Sequence, residues 1–312
     1  MSQATSQTQA PRLVAPRGGL LDDPRRLGKL MLAPTVIYIF GLVGLPFILA
    51  IVYSFTSVTV ARVDFTFRGF DHYYALLERP AFWTALKNTL LYALVSQAIV
   101  MLMANILALG LMKNFRGKWF VRLLILLPFV APISLGTLGW MWIFDPTYSV
   151  LNWMAQAVHI LGPGERFFWL GEPNLARASL IMINVWRTLP LATVILLAGL
   201  GSIPQDIHDA AQMDGARFWR HHFQITLPLI TPIMAVATLF GLVFTFTDIV
   251  VIFVLTRGGP FDSTHVLASL AYYTGIEAGD LAEGAAISLF LFPLLLAIAI
   301  AMLRLAKRSE IN

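Results

Sequence analysis

Two charged residues stand where charge is costly. Arg187 and Asp248 each lie inside a long apolar stretch that otherwise carries no charge. A charge near the middle of a bilayer costs about 2.5–3.5 kcal/mol on insertion-based scales. Such a residue therefore faces protein or a water-filled cavity rather than lipid. If one stretch enters near Ala178 and the other ends near Leu255, Arg187 lies about 14 Å along its helix at about 1.5 Å per residue. Asp248 then lies as deep or slightly less deep, so the two can share a level. Two readings stand side by side. The residues form an ion pair within the membrane, or Arg187 snorkels outward; alternatively one or both hydrogen-bond a polar solute between the helices.

No other constellation carries reaction chemistry. There is no G-x-x-x-x-G-K-[ST] phosphate loop and no H-E-x-x-H pair. His221 and His222 are adjacent and on a helix point about 100° apart, which does not serve one metal from one face. With Arg217 and Arg220 they read as surface or interface residues, facing acidic headgroups or another protein. Cysteine is absent, which removes disulfides, thiolate metal sites and cysteine nucleophiles. The expectation is no catalytic residue, no bound cofactor and no metal.

The elements that position these residues follow from composition. The 312-residue chain is 58% hydrophobic and 12% charged, with a mean hydropathy of +0.74. A soluble domain is about 25% charged, so this is a membrane protein. A span needs about 20 apolar residues. Six such stretches are present, over 31–54, 88–112, 123–144, 178–201, 229–255 and 285–303. The predicted fold class is an all-α integral membrane protein with six transmembrane helices. A polar tail over 1–30, rich in Arg, Pro and Ser, precedes the 31–303 domain, and a short basic tail over 304–312 follows it. A cleaved signal peptide does not fit, because the first apolar stretch starts too late and is too long.

Six spans put both termini on one side. With the tails, 113–122 and 203–228 placed inside, 14 Lys and Arg lie inside and 7 outside, while 6 Asp and Glu lie inside and 10 outside. The positive-inside rule then makes both termini and the 203–228 loop cytoplasmic. The net charge of +5 reflects this edge distribution rather than a nucleic-acid partner.

The 203–228 loop is itself structured. Pro204 suits a helix start, Asp206 and Asp209 favour the positive end of the helix dipole, and Gly215 offers a stop. A second helical run over 216–224 carries Phe218, Trp219 and Phe223. The spacing of Asp209-Ala210-Ala211, Met213-Asp214-Gly215-Ala216 and Ile225-x-Leu227-Pro228 resembles the EAA loop of ABC importer permeases of the carbohydrate-uptake, maltose-type branch. Asp209 stands where Glu is usual, which keeps the charge on a shorter arm. The runs Trp186-Arg187-x-x-Pro190, Phe144-Asp145-Pro146 and Thr256-Arg257-Gly258-Gly259-Pro260 extend the resemblance from about Leu30 to the end.

The resemblance implies an ABC type I importer permease fold in a bacterial or archaeal inner membrane. It implies a second homologous permease chain, two cytoplasmic ATP-binding cassette subunits that carry ATP and Mg, and an extracytoplasmic substrate-binding protein. Asp209, Ala210, Ala211, Asp214, Gly215, Ala216, Ile225, Leu227 and Pro228 would couple to the ATPase. Trp186, Arg187, Leu191, Phe246, Thr247, Asp248 and Val250 would face the path of a sugar, glycoside, polyol or similar solute. Lipid is the remaining expected partner. Two other classes compete: an ion-coupled secondary transporter or channel acting without an ATPase, and an intramembrane enzyme. No internal repeat supports the first, and Arg187 with Asp248 makes a poor catalytic set for the second.

Overall fold

The computed structural model describes residues 24–310. These form two compact units, a short one ending at Leu49 and a large one from Ala50 onward. Among the described residues there is no extended strand, only one isolated bridge between Thr56 and Phe67. In chain order the helices are α1 (Pro24–Ile39), α2 (Leu45–Ser54), α3 (Asp71–Glu78), α4 (Pro80–Met112), α5 (Lys118–Val130), α6 (Ile133–Ile143) and α7 (Val150–Ala157). Then follow α8 (Pro173–Gly201), α9 (Gln205–Met213), α10 (Phe218–His221), α11 (Leu227–Thr247), α12 (Val250–Leu255), α13 (Leu267–Tyr272) and α14 (Leu281–Glu310). Wider π turns at Phe40–Gly44, His222–Thr226 and Tyr273–Glu277 follow α1, α10 and α13. Five continuous helical stretches are long and apolar enough to cross a membrane, or six if the bent pair α5–α6 counts as one.

The first unit is an apolar helix that continues through the π turn into α2. Residues 24–30 already belong to α1, and the rest of the expected 1–30 tail lies outside the described residues. At the other end α14 continues through the expected 304–312 tail as far as Glu310.

The second unit is built around α4, α8 and α11, with α14 on the far side of α11. Ala104 and Ala108 of α4, Leu196 of α8 and Ile230 of α11 are completely buried in one cluster. Small residues bring the helices close, as packing within lipid requires. A side chain on Gly199 would meet Ile233 at 2.8 Å, one on Gly241 would meet Gln97 at 2.1 Å, and one on Gly284 would meet the Gly275 backbone at 2.4 Å.

The spans differ from the sequence expectation at three places. The third is broken: α5 and α6 meet at 99°. Ala131, at φ −67° and ψ 138°, is extended because Pro132 follows it. The fifth ends at Thr247, and Asp248 is extended at ψ 120°. The Asp248 carboxylate accepts the Val250 N–H at 2.9 Å and so opens α12. The segment after α12 folds back into the bundle rather than forming a surface loop. Asn88 donates to the carbonyls of Ser263 (2.7 Å) and His265 (3.0 Å), and Leu267 N–H donates to Thr89 Oγ1 (2.8 Å). Arg79 pairs with Glu283 on the same side.

His265 is buried in this folded-back segment, against Gly258, with Nδ1 3.1 Å from Ser269 Oγ. Burial holds its imidazole below the ordinary value of 6.5, against a smaller opposing pull from Asp262. The neutral form is therefore the folded one. Its contribution is present above pH 6.5 and is lost as pH falls through the depressed folded value. Thermal unfolding in detergent micelles is expected to show a midpoint that drops on acidification below that pH, with the drop reduced in His265→Gln.

The same assay tests the close helix contacts. Gly284→Ala is expected to cost about 1–3 kcal/mol through overpacking. Gly139→Ala, where nothing lies within 4 Å, is expected to leave the midpoint unchanged.

Candidate functional site: a charged pair beside a membrane cavity, and a capped hairpin

Arg187 sits mid-way along α8, and Asp248 sits at the break between α11 and α12. Arg187 Nη1 lies 2.5 Å from Asp248 Oδ2, with the two side chains 22% and 4% exposed. Both carboxylate oxygens are used, since Oδ1 takes the Val250 N–H. Tyr92 of α4 is buried within electrostatic reach of both charges, and its hydroxyl is unpartnered. Asn184 donates to Thr245 Oγ1 at 3.0 Å, and Thr245 donates in turn to the Gly241 carbonyl at 2.8 Å. A polar seam thus joins α8 to α11 at this level.

A cavity of about 160 Å³ opens against the seam, with Arg187, Thr188, Leu191, Gln97 and Phe129 among its walls. Gln97 is 4% exposed and its Nε2 has no partner. It reaches the cavity because Gly241 leaves room for it.

The structure sorts the residues expected to face a path. Arg187 and Leu191 line the cavity, and Asp248 stands behind Arg187. Trp186 packs on Trp140, edge to face at 5.7 Å, and against Gly136 at 3.2 Å from a side chain added there. Phe246 is 1% exposed, packed with Ala93 and Leu242 in the core. Thr247 is exposed and donates to the Val243 carbonyl at 2.9 Å. Val250 is half-buried and contributes its N–H to Asp248. Sequence reading missed Gln97, Asn184, Thr245 and Phe129. Asn88, Tyr92 and Ser96 recur at every fourth position of α4, and that spacing was a signal that one face of α4 is polar and buried.

The hairpin at the other site is well defined. Helix α9 ends in a left-handed cap: Gly215 has φ +69°, its N–H bonds the Gln212 carbonyl, and Ala216 N–H bonds the Ala211 carbonyl, both at 3.0 Å. These bonds satisfy carbonyls that a helix end otherwise leaves open. His208 Nδ1 lies 2.9 Å from His221 Nε2, and His221 Nδ1 lies 3.3 Å from Thr226 Oγ1, so the second limb is tied to the first. Ala211 is buried at the contact, and Ala216, Ile225 and Leu227 are half-buried. Asp209, Ala210, Asp214, Gly215 and Pro228 are exposed, and Asp209 accepts from Gln205 at 3.0 Å. Met213 projects at 87% exposure, an apolar knob beside two acids. A rigid helix end that shows an apolar side chain to solvent is suited to enter a groove on another protein.

Apolar helices enclosing a charged pair and a mostly apolar cavity with a few polar groups, with an ordered hairpin between two of them, fit a multi-pass membrane transport subunit. Residues 99–310 match the family described as the binding-protein-dependent transport system inner membrane component. The sulfoquinovosyl glycerol transport system permease protein SmoG of Agrobacterium fabrum is 31% identical over 287 residues, 92% of each chain. The trehalose/maltose transport system permease protein MalF of Thermococcus litoralis is 31% identical over 284 residues, 90% of this chain and 94% of its own. A bacterial alginate ABC transporter solved with an alginate pentasaccharide-bound periplasmic protein contains a chain of the same fold. It matches with a TM-score of 0.78 at 24% identity, covering 93% of this chain and 97% of that one. The chain therefore belongs to the binding-protein-dependent transport system inner membrane component family, and it is a transport subunit rather than an enzyme.

The ion pair makes a double-mutant test. Removing one partner of a buried pair costs about 3–5 kcal/mol because it strands the other charge. Arg187→Met and Asp248→Leu are each expected to lower the thermal midpoint strongly. The double variant is expected to recover much of the loss.

Proposed function

We propose that this chain forms one half of the translocation pathway of an ATP-driven importer for sugar-like solutes. A second permease chain supplies the other half, and two cytoplasmic ATPase subunits drive it. An external binding protein delivers the solute. Both termini and the 203–228 hairpin lie in the cytoplasm, in keeping with the distribution of Lys and Arg.

The hairpin is the observation that carries this reading. Its exposed residues, Asp209, Ala210, Asp214 and Gly215, are held on a capped helix that a histidine pair ties to the next limb. Such an element transmits a push from a docked ATPase into α11. The site inside the membrane supports the other half of the reading. At about 160 Å³ the cavity is smaller than the usual ligand pocket of about 300–1,000 Å³, as suits a half-site that a second chain completes. Arg187, Thr188 and the Gln97 carboxamide offer hydrogen bonds to hydroxyls. The solute class rests on the relatives named for sulfoquinovosyl glycerol and for trehalose and maltose.

The test is purification of the tagged chain in mild detergent from its own membrane, with mass identification of stoichiometric partners. A second permease and a phosphate-loop ATPase are expected. Gly215→Trp, which forces a large side chain into a left-handed backbone position, is expected to lose the ATPase and keep the second permease. A chain that purifies alone in active form overturns the proposal. Within an intact complex, Asp248→Ala is expected to reduce solute uptake by cells at least tenfold while leaving the ATPase bound. Normal uptake would remove the charged pair from the pathway.

A further inference from the structure

A second hollow, larger than the cavity at Arg187, remains without a role. It is a groove of about 860 Å³ between the C-terminal part of α4 and the segment running from α10 into α11. Ile106 and Leu109 form one wall, and Trp219 and Phe223, stacked at 5.7 Å, form the other. The α4 wall is the end of a membrane-spanning helix and the other wall is the start of the Phe218–Thr247 stretch, so the groove lies at the edge of the bilayer and ends where α4 ends, at Lys113.

Two polar side chains interrupt this apolar lining. Asn105 is 8% exposed with Nδ2 unpartnered, and His222 is 6% exposed with Nδ1 unpartnered. Buried polar groups are normally hydrogen-bonded, and leaving them unpaired costs free energy. Both atoms are shut off from the groove itself, so its surface calls for an occupant that is apolar over most of its length. The acyl chain of a lipid meets that demand.

Charge settles the headgroup. Lys113 lies at the mouth, and no acidic side chain lines the groove. Lys113 also opens the 113–122 segment, a turn leading into α5 that carries Arg116, Lys118 and Arg122 and no acid. Basic residues beside a span on the cytoplasmic face attract anionic lipid, at about 1 kcal/mol each.

We propose that this groove binds one anionic phospholipid of the inner leaflet. Its acyl chain lies along α4 and its phosphate meets Lys113. The leaflet follows from the orientation proposed above, whereas the binding itself does not depend on that orientation or on the ATPase. The lipid would bear on Phe218 to Phe223, the segment that joins the hairpin to α11, and so brace the joint.

The experiment counts lipid on the assembled complex. The complex is purified, delipidated by prolonged detergent exchange, and offered palmitoyl-oleoyl phosphatidylglycerol or palmitoyl-oleoyl phosphatidylcholine. Native mass spectrometry reads the bound lipid. One phosphatidylglycerol per copy of this chain is expected, in preference to phosphatidylcholine. Lys113→Gln is expected to weaken phosphatidylglycerol binding about fivefold, the effect of one basic residue. Ile106→Trp, at a lipid-facing position where the larger ring fills the groove without disturbing the core, is expected to abolish binding while the second permease chain stays attached. Equal binding of the two lipids, or binding untouched by Lys113→Gln, overturns the proposal. So does loss of the second permease chain in Ile106→Trp, since a protein surface then covers the groove.

Discussion

Hydrocarbon offers no partner to a charge or to an open backbone group. The interior of this bundle is arranged around that constraint. Arg187 is acceptable in α8 because Asp248 lies 2.5 Å away. Asp248 is available because α11 stops at Thr247. The stop is acceptable because the same carboxylate takes the first open N–H of α12. One side chain thus neutralises a charge and caps a helix. Moving either end would leave a charge or an N–H without its partner.

The same constraint explains the polar seam beside the pair. Asn184, Thr245 and the Gly241 carbonyl form a chain of hydrogen bonds. Gln97 and Tyr92 do not complete it, since each keeps an unpartnered atom. The hairpin between α8 and α11 has a different character. The Gly215 cap and the His208–His221 contact hold its two limbs together, and what it shows outward is Met213 with its flanking acids.

Much of this was legible in the residues. Long charge-free runs located the helices, and Gly215 marked the turn between α9 and α10. Arg187 and Asp248 announced themselves as the only charges in their stretches. The breaks were harder to read. Pro128, Pro190, Pro232 and Pro293 all sit within continuous helices, whereas Pro132 coincides with the 99° bend. Nothing local distinguishes them, because neighbouring helices decide whether a freed carbonyl finds a partner. The break at Asp248 involves neither proline nor glycine and depends on a carboxylate turning back on its own backbone. The fate of Phe246 turned on helix phase. It is two residues from Asp248 yet faces α14, since successive side chains on a helix diverge by about 100°. The folded-back α13 was hidden because its anchors, Asn88 and Thr89, are far away in the chain.

The π turn at His222–Thr226 holds one residue more than a regular helix would need between the same neighbours. Everything before it is therefore about 100° out of phase with everything after it. For lineages of this chain, that makes length as informative as identity. Losing a single residue there would restore regular winding, turn Trp219 and Phe223 to a different side of the bundle, and break the His221–Thr226 contact, while leaving every residue of α11 unchanged. Gaps in aligned relatives at this point would then report a change in how the hairpin is aimed, not a change in what it is made of.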